Sequence, residues 1–181
     1  MEFLTLALSG DKGNYRVIGY DMSTMLAYSL IVSEEEMLKL RIGTIAEVTT
    51  CISEETSEMR IKKVIKFSEA KSDKITNFLD YQATAFNSSG YKVRKIKRID
   101  SVVGGEKAYF VAELYGYPGE KMTVFSSDAK WSSFWGCGVF DGSYEEKIRD
   151  AINSENNVYV VCEEKETKSE SRKYALAFVV I

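Results

Sequence analysis

Two stretches of this sequence carry cations at strand spacing. In Met59-Arg-Ile-Lys-Lys-Val-Ile-Lys-Phe67, Arg60, Lys62 and Lys66 alternate with Met59, Ile61, Ile65 and Phe67. A period of two sends the first set to one face of an extended strand and the second set to the other. Lys63 and Val64 interrupt the alternation, which a one-residue bulge accommodates. In Tyr91 to Ile99, Lys92, Arg94 and Arg98 fall on one face against Tyr91, Val93 and Ile99, with Lys95 and Lys97 blurring the division. Three cations per strand, beside tyrosines at 15, 109, 115 and 117, have the chemistry to track phosphates while rings stack on bases. Between Arg60 and Arg98 there are eleven Lys/Arg against three Asp/Glu, a balance of +8, while the rest of the chain stands at −11. A basic segment inside an acidic whole is the pattern of a localised anion-binding surface. The competing reading is that the cations solvate a strand face or blunt a sheet edge.

Other chemistries find less support. The chain has no histidine, which removes Ser-His-Asp and Cys-His catalysis, histidine general bases and His-containing zinc sites. Its three cysteines, Cys51, Cys137 and Cys162, are far apart and form no CxxC, so neither a disulfide framework nor a thiolate zinc site is expected. Cys137 lies between two glycines with no adjacent cation to activate it. Lys12, with Gly10 and Gly13, can meet a phosphate through backbone amides and its ammonium, although the spacing is not that of a P-loop and no helix follows. Trp131, Phe134 and Trp135 read as core closure rather than a ligand wall. The acidic runs Glu34–Glu36, Glu54–Glu55 and Glu163–Glu164 lie in expected helix starts and loops, where carboxylates are solvated, so no metal centre is expected. Asp128, after Ser126-Ser127, reads as a turn cap. No enzymatic activity and no cofactor are therefore expected.

The positioning elements follow from apolar runs and turn clusters. Of the 181 residues, 45 % are hydrophobic and 28 % charged, the balance of a globular protein. Phe3–Leu8, Tyr15–Tyr20, Leu26–Val32, Thr44–Ile52 and Met59–Phe67 read as strands. Ser33-Glu-Glu-Glu36 reads as a capping box opening a short helix to Leu40. Three strands, a helix and two strands is the order of an OB-fold barrel. Ile75, Phe78, Leu79, Ala83 and Phe86 make one stripe of a helix from Ser72 to Phe86. The order then repeats: strands at Tyr91–Ile99, Ala108–Tyr115 and Lys121–Ser126, a helix from Ser143 to Ile152, and strands at Val158–Cys162 and Tyr174–Ile181, joined by a charged loop at Glu163–Arg172. The expected fold is thus mainly β: two small OB-like barrels, residues 1–70 and 91–181, joined by a connecting helix in 71–90 and packed on each other through it. No apolar stretch has the length of a membrane span, and the start lacks a basic signal-peptide region, so a cytoplasmic protein with no membrane partner is expected.

Leu4-Thr-Leu-Ala-Leu-Ser9, Lys12-Gly13, Tyr15-Arg-Val-Ile-Gly-Tyr-Asp21 and Leu30-Ile-Val-Ser33 together resemble the opening of bacterial dual OB-containing domains. Leu114-Tyr-Gly-Tyr-Pro118, leading to Ser127-Asp128, is similar to that family's tyrosine-rich strand pair before a Thr-Asp-Pro turn. Tyr159-Val-Val-Cys-Glu163 and Tyr174-Ala-Leu-Ala-Phe-Val179 are similar to its closing strands. The family's Trp-Ile-Arg is replaced by Tyr28, Ser29 and Leu30, and its later proline by Ala129. The resemblance implies two OB-like barrels and a nucleic-acid or nucleotide-binding role without established catalysis; the absent arginine puts one ligand contact in doubt. The expected function is a non-catalytic module binding single-stranded nucleic acid or a nucleotide through Lys12, Tyr15, Arg60, Lys62, Lys66, Lys92, Arg94 and Arg98. The alternative is a protein-binding adaptor or inhibitor in a bacterial or phage conflict system, using the acidic segments Glu34–Glu36 and Glu163–Glu170.

Overall fold

The structure is a computed structural model that describes residues 1–11, 13–68, 72–84, 91–102, 109–116, 119–125, 143–166, 168 and 171–181. It divides into two compact units, Met1–Ile75 and Thr76–Ile181. The first contains β1 (Glu2–Asp11), β2 (Asn14–Asp21), β3 (Leu26–Val32), α1 (Glu34–Met37), β4 (Ile45–Ile52) and β5 (Met59–Ser68). These strands close into a barrel in the order β1-β2-β3-β5-β4, with β4 returning to β1. All pairs are antiparallel except β3–β5, which is parallel where Ile31 meets Arg60. This is the five-stranded Greek-key closure of an OB barrel.

Local chemistry explains the tight corners. Gly13, at φ +88°, supplies the left-handed residue between β1 and β2. Between β2 and β3, the buried Asp21 carboxylate accepts from Ser23 N–H (3.0 Å), Ser23 Oγ (2.7 Å) and Thr24 Oγ1 (3.1 Å). Burial raises the Asp21 pKa, but these hydrogen bonds outweigh it and hold the carboxyl below its ordinary range. Gly19 faces inward beneath β1, where a Cβ would collide with the Leu4 carbonyl and the Phe3 ring. Phe3, Leu8, Val17, Leu30, Val32, Met37, Ala46, Val48, Ile61 and Val64 form the barrel core.

Strand β5 must pair with β4 on one side and meet β3 on the other, and it bends twice to do so. Against β4 the register runs Glu47↔Lys66, Val48↔Val64, Thr49↔Lys63 and Thr50↔Ile61, leaving Ile65 and Lys62 as extra residues. The broken alternation implied one bulge at Lys63–Val64; the structure has two, at the residues on either side of that pair. They also correct the expected facing. Ile61 and Val64 are buried, but Ile65 is 50 % exposed and Phe67, at the barrel's end opposite Ala46, is 43 % exposed.

The second bulge depends on α1. Val64 N–H donates to Glu36 Oε2 at 2.6 Å, and Lys39 Nζ donates to Glu36 Oε1 at 2.5 Å. Only half of the expected capping box forms: Ser33 Oγ accepts from Glu36 N–H (3.3 Å), but the Glu36 carboxylate is engaged by Lys39 and Val64. Helix α1 stops at Met37, short of the expected Leu40, and the chain turns so that Met37 and Leu40 enter the core.

The second unit repeats the element order. It holds the rest of α2 (Ser72–Thr84), then β6 (Tyr91–Val102), β7 (Tyr109–Leu114), β8 (Glu120–Phe125), α3 (Ser143–Asn153), β9 (Val158–Glu166) and β10 (Ser171–Val180). Its strands run β10-β9-β6-β7-β8, the same circular order as the first barrel cut open between the third and fifth strands. The sheet curls over a core that includes Ile96, Ile99, Phe110, Leu114, Met122, Ile148, Val160 and Phe178. Helix α2 is fastened on the other face, where Tyr159 OH donates to Asp80 Oδ1 (2.7 Å) and Lys95 Nζ pairs with Asp80 (2.9 Å). The expected loop Glu163–Arg172 is largely strand, since β9 and β10 stay in register to Glu166↔Ser171. The charged composition of these residues had masked it. The protein is therefore mainly β with two OB-like units, the first closed and the second open. Among the described residues, no helix is long and apolar enough to cross a membrane.

Two outcomes follow. Gly19→Ala should lower stability by about 1–3 kcal/mol in urea unfolding, because the collision is with backbone and a packed ring. Glu36→Ala should cost about 1–3 kcal/mol, since it orphans the Val64 amide. Lys39 and the Val64 N–H hold the Glu36 pKa below the ordinary carboxylate value. Its contribution is thus complete above the unfolded-state pKa of about 4.3 and lost as pH falls through the lower folded value. The variant's stability, measured by chemical unfolding from pH 6 down to pH 3, should fall less steeply than that of the wild type.

Candidate nucleic-acid interface

The register of β5 decides which cations share a surface. Residues directly opposite in an antiparallel pair point the same way. Arg60, Lys63 and Lys66 therefore lie outward with Cys51, Thr49 and Glu47, while Ile61 and Val64 point inward with Thr50 and Val48. Lys62, in the bulge, is exposed beside them. The expected set Arg60, Lys62 and Lys66 is thus joined by Lys63, which strict alternation had misplaced. Lys66 pairs with Glu47 at 3.2 Å. Arg60, Lys62 and Lys63 form no ion pair among the described residues.

The parallel bridge extends this surface. Arg16 on β2 lies opposite Ile31 on β3, and Ile31 meets Arg60 on β5, so one row of residues crosses the barrel's outer face. Arg16 Nη2 donates to Glu58 Oε2 at 2.7 Å and Oε1 at 2.9 Å, and Nη1 reaches Ser29 Oγ at 3.5 Å. Glu58 ends the β4–β5 turn. Ser57 takes φ +58° there, and Ser53 N–H donates to the Glu58 carbonyl at 2.8 Å. The turn thereby carries a carboxylate onto the β2–β3 face, the face and loop with which OB barrels bind oligomers. Sequence reasoning missed Arg16 and Glu58, which are separated by 42 positions.

Tyr15 does not stand out as a stacking ring. It is half-buried against the barrel core with Glu34 nearby; burial first, then Glu34, raises its pKa. Tyr28 is likewise packed inward. Phe67 is the exposed ring of this unit closest in sequence to the cations, with the Arg41 guanidinium 6.0 Å from its centroid.

The cations of β6 lie in the second unit and split between its faces. Lys92 and Arg94 stand opposite Cys162 and Val160 on the core side, whereas Lys97 is a bulge and Arg98 stands opposite Glu113 on the outer side. The inserted residue reverses the alternation, which corrects the single face expected for Lys92, Arg94 and Arg98. Arg98 Nε pairs with Glu113 at 2.5 Å and Lys97 with the same carboxylate at 3.5 Å. Burial raises the Glu113 pKa, but Arg98 and Lys97 outweigh it and the net shift is downward. Arg94 Nη2 pairs with Glu120 at 2.8 Å. Tyr115 is 52 % exposed and stands 5.7 Å from Lys95 Nζ. Lys12, Tyr117, Asp128, Trp131, Phe134, Trp135, Cys137 and the Tyr109 side chain lie outside the described residues.

The fold is an OB-type barrel with an open second copy of its topology. No family model matches the chain, and no curated protein matches it. The functional reading therefore rests on the barrel and its charges. Because Arg16 and Glu58 are both partly exposed, Glu58→Gln should lower stability by no more than about 1 kcal/mol in urea unfolding. A larger loss would make Glu58 a structural clamp rather than a cover on the cationic row.

Proposed function

We propose that the protein is a non-catalytic module that binds single-stranded nucleic acid across the outer face of β2, β3 and β5. One observation carries this reading: Arg60, Lys62 and Lys63 stand together on the outer side of a closed OB barrel without ion pairs among the described residues, in a row that continues to Arg16. The parallel closure of β5 on β3 supports it by setting this strand beside the oligomer-binding face of the fold. With Tyr15 and Tyr28 turned inward, affinity comes chiefly from phosphate contacts, aided by stacking on guanidinium planes. Such binding is sequence-tolerant.

The adaptor reading draws on Glu34–Glu36 and Glu163–Glu170; in the first of these, Glu35 pairs with Lys39, and Glu36 with Lys39 and the Val64 amide. At that segment the pairing favours the nucleic-acid reading, because a surface offered to a basic partner keeps its carboxylates free.

Fluorescence anisotropy with labelled oligothymidylate and oligouridylate should show binding that weakens steeply between about 50 and about 200 mM salt. Arg60→Ala/Lys62→Ala/Lys63→Ala should flatten the log–log salt slope by about 0.7 for each cation that contacts the strand, or about 2 in all. Absence of binding at the lower salt, or an unchanged slope in the triple variant, overturns the proposal.

A further inference from the structure

The second unit contains a cleft of about 270 Å³ where β6 changes partner. The β6–β9 ladder ends at Lys95↔Tyr159, and from Ile96↔Leu114 onward β6 pairs with β7. The apolar lining is Ile96 and Val158, both buried, and the half-buried Ile152. Tyr115, which follows β7 and is 52 % exposed, supplies an aromatic ring. The chain between α3 and β9 supplies Glu155, Asn156 and Asn157, whose side chains meet no partner among the described residues.

Glu155 occupies a position that local chemistry assigns to glycine. Helix α3 ends in a Schellman motif, in which Asn156 N–H donates to the Ala151 carbonyl at 3.0 Å and Glu155 N–H to the Ile152 carbonyl at 3.1 Å. That motif requires a left-handed residue, and Glu155 takes φ +62°. Glycine adopts this conformation freely, whereas the Cβ of a glutamate makes it costly. Strained residues gather where their side chains are used, and this one lines the cleft with its carboxylate unpaired. The two lysines of the cleft are, by contrast, already engaged: Lys95 by Asp80 at 2.9 Å and Lys97 by Glu113 at 3.5 Å. Lys95 Nζ also stands 5.7 Å from the Tyr115 ring centroid. The cleft therefore offers a carboxylate, two amides and a ring, and no uncommitted cation among its described residues.

We propose that this cleft binds a guanine base. A carboxylate accepts from two adjacent donors, and of the common bases only guanine carries two, N1–H and N2–H, side by side on one edge. Its O6 and N7 are acceptors for the amide groups of Asn156 and Asn157. Tyr115 offers the stacking surface, which suits any base, so that Glu155 makes the choice. The volume is smaller than the about 300–1,000 Å³ of pockets for drug-sized ligands and suits a single base. The site lies wholly in the second unit and does not rest on the outer face of the first.

The test is isothermal titration calorimetry on the full chain carrying Arg60→Ala/Lys62→Ala/Lys63→Ala, which silences the first unit's outer face. Guanosine monophosphate should bind, and adenosine, cytidine, uridine and inosine monophosphates should bind about tenfold more weakly or worse; inosine lacks only the 2-amino group. A pentanucleotide with one guanine among thymines, without terminal phosphates, is run beside oligothymidylate. Preference for the guanine strand shows that the base is taken from a polynucleotide, and binding of the monophosphate alone shows a free-nucleotide site; either supports the proposal. Glu155→Gln, which keeps the shape of the side chain, should weaken guanosine monophosphate binding by about tenfold or more. Glu155→Gly should abolish the preference for guanine while the melting temperature stays the same or rises, a split that a purely structural Glu155 would not give. No heat with guanosine monophosphate or the guanine strand at millimolar concentration, equal affinity for guanosine and adenosine monophosphates, or an unchanged guanine preference in Glu155→Gly overturns the proposal.

Discussion

The first barrel closes because β5 is longer than the strand it pairs with. A strand that is antiparallel to β4 and yet reaches β3 in parallel must bend, and the two added residues at Lys62 and Ile65 provide the bend. Bulging has a cost, since ladder hydrogen bonds are lost, and the Val64 amide recovers one from the Glu36 carboxylate. That carboxylate is held in turn by Lys39, one turn of chain away. Core closure, the position of α1 and the outward display of β5 cations thus rest on one charge-assisted contact between a short helix and a bent strand.

The second unit shows what the same element order does without that closure. Its sheet follows the identical circular order but ends at β8 and β10, and a carboxylate shared by Arg94 and Lys173 spans the two edges. A hydrogen-bonded ladder satisfies every group it uses, whereas this ionic bridge leaves Arg94 Nε without an acceptor. In the first unit the unpaired cations lie outside the barrel. In the second, Arg94 and Lys173 lie on the core side of the sheet and Glu120 engages both.

Element types were legible because each leaves a local trace. Leu26–Val32 is a strand over the residues its apolar run marks, and α2 begins at Ser72 with Ile75 and Leu79 buried, as its stripe requires. The repeated order of three strands, a helix and two strands was equally plain. The β9–β10 hairpin was not: charged residues through Glu166 and from Ser171 read as loop because solvation and cross-strand pairing have the same composition. Ser33 was legible as a cap, but its reciprocal partner was not, because the buried Val64 amide and Lys39 engage Glu36 more strongly than the Ser33 amide does.

The composition and spacing determined that this chain builds two small β units and that its cations gather on β5 and β6. Facing was decided only by tertiary structure. Strand alternation is a phase, and a single inserted residue inverts it; the insertions at Lys62, Ile65 and Lys97 arise from the paths of neighbouring strands, which no local pattern records. Neutralisation was decided the same way. Arg16 meets Glu58, and Arg94 meets Glu120, across dozens of residues, while Lys62 and Lys63 form no ion pair among the described residues. Whether a cation is a structural clasp or a free contact depends on which carboxylate the fold carries to within a few ångströms, and that distance exists only once the chain has folded.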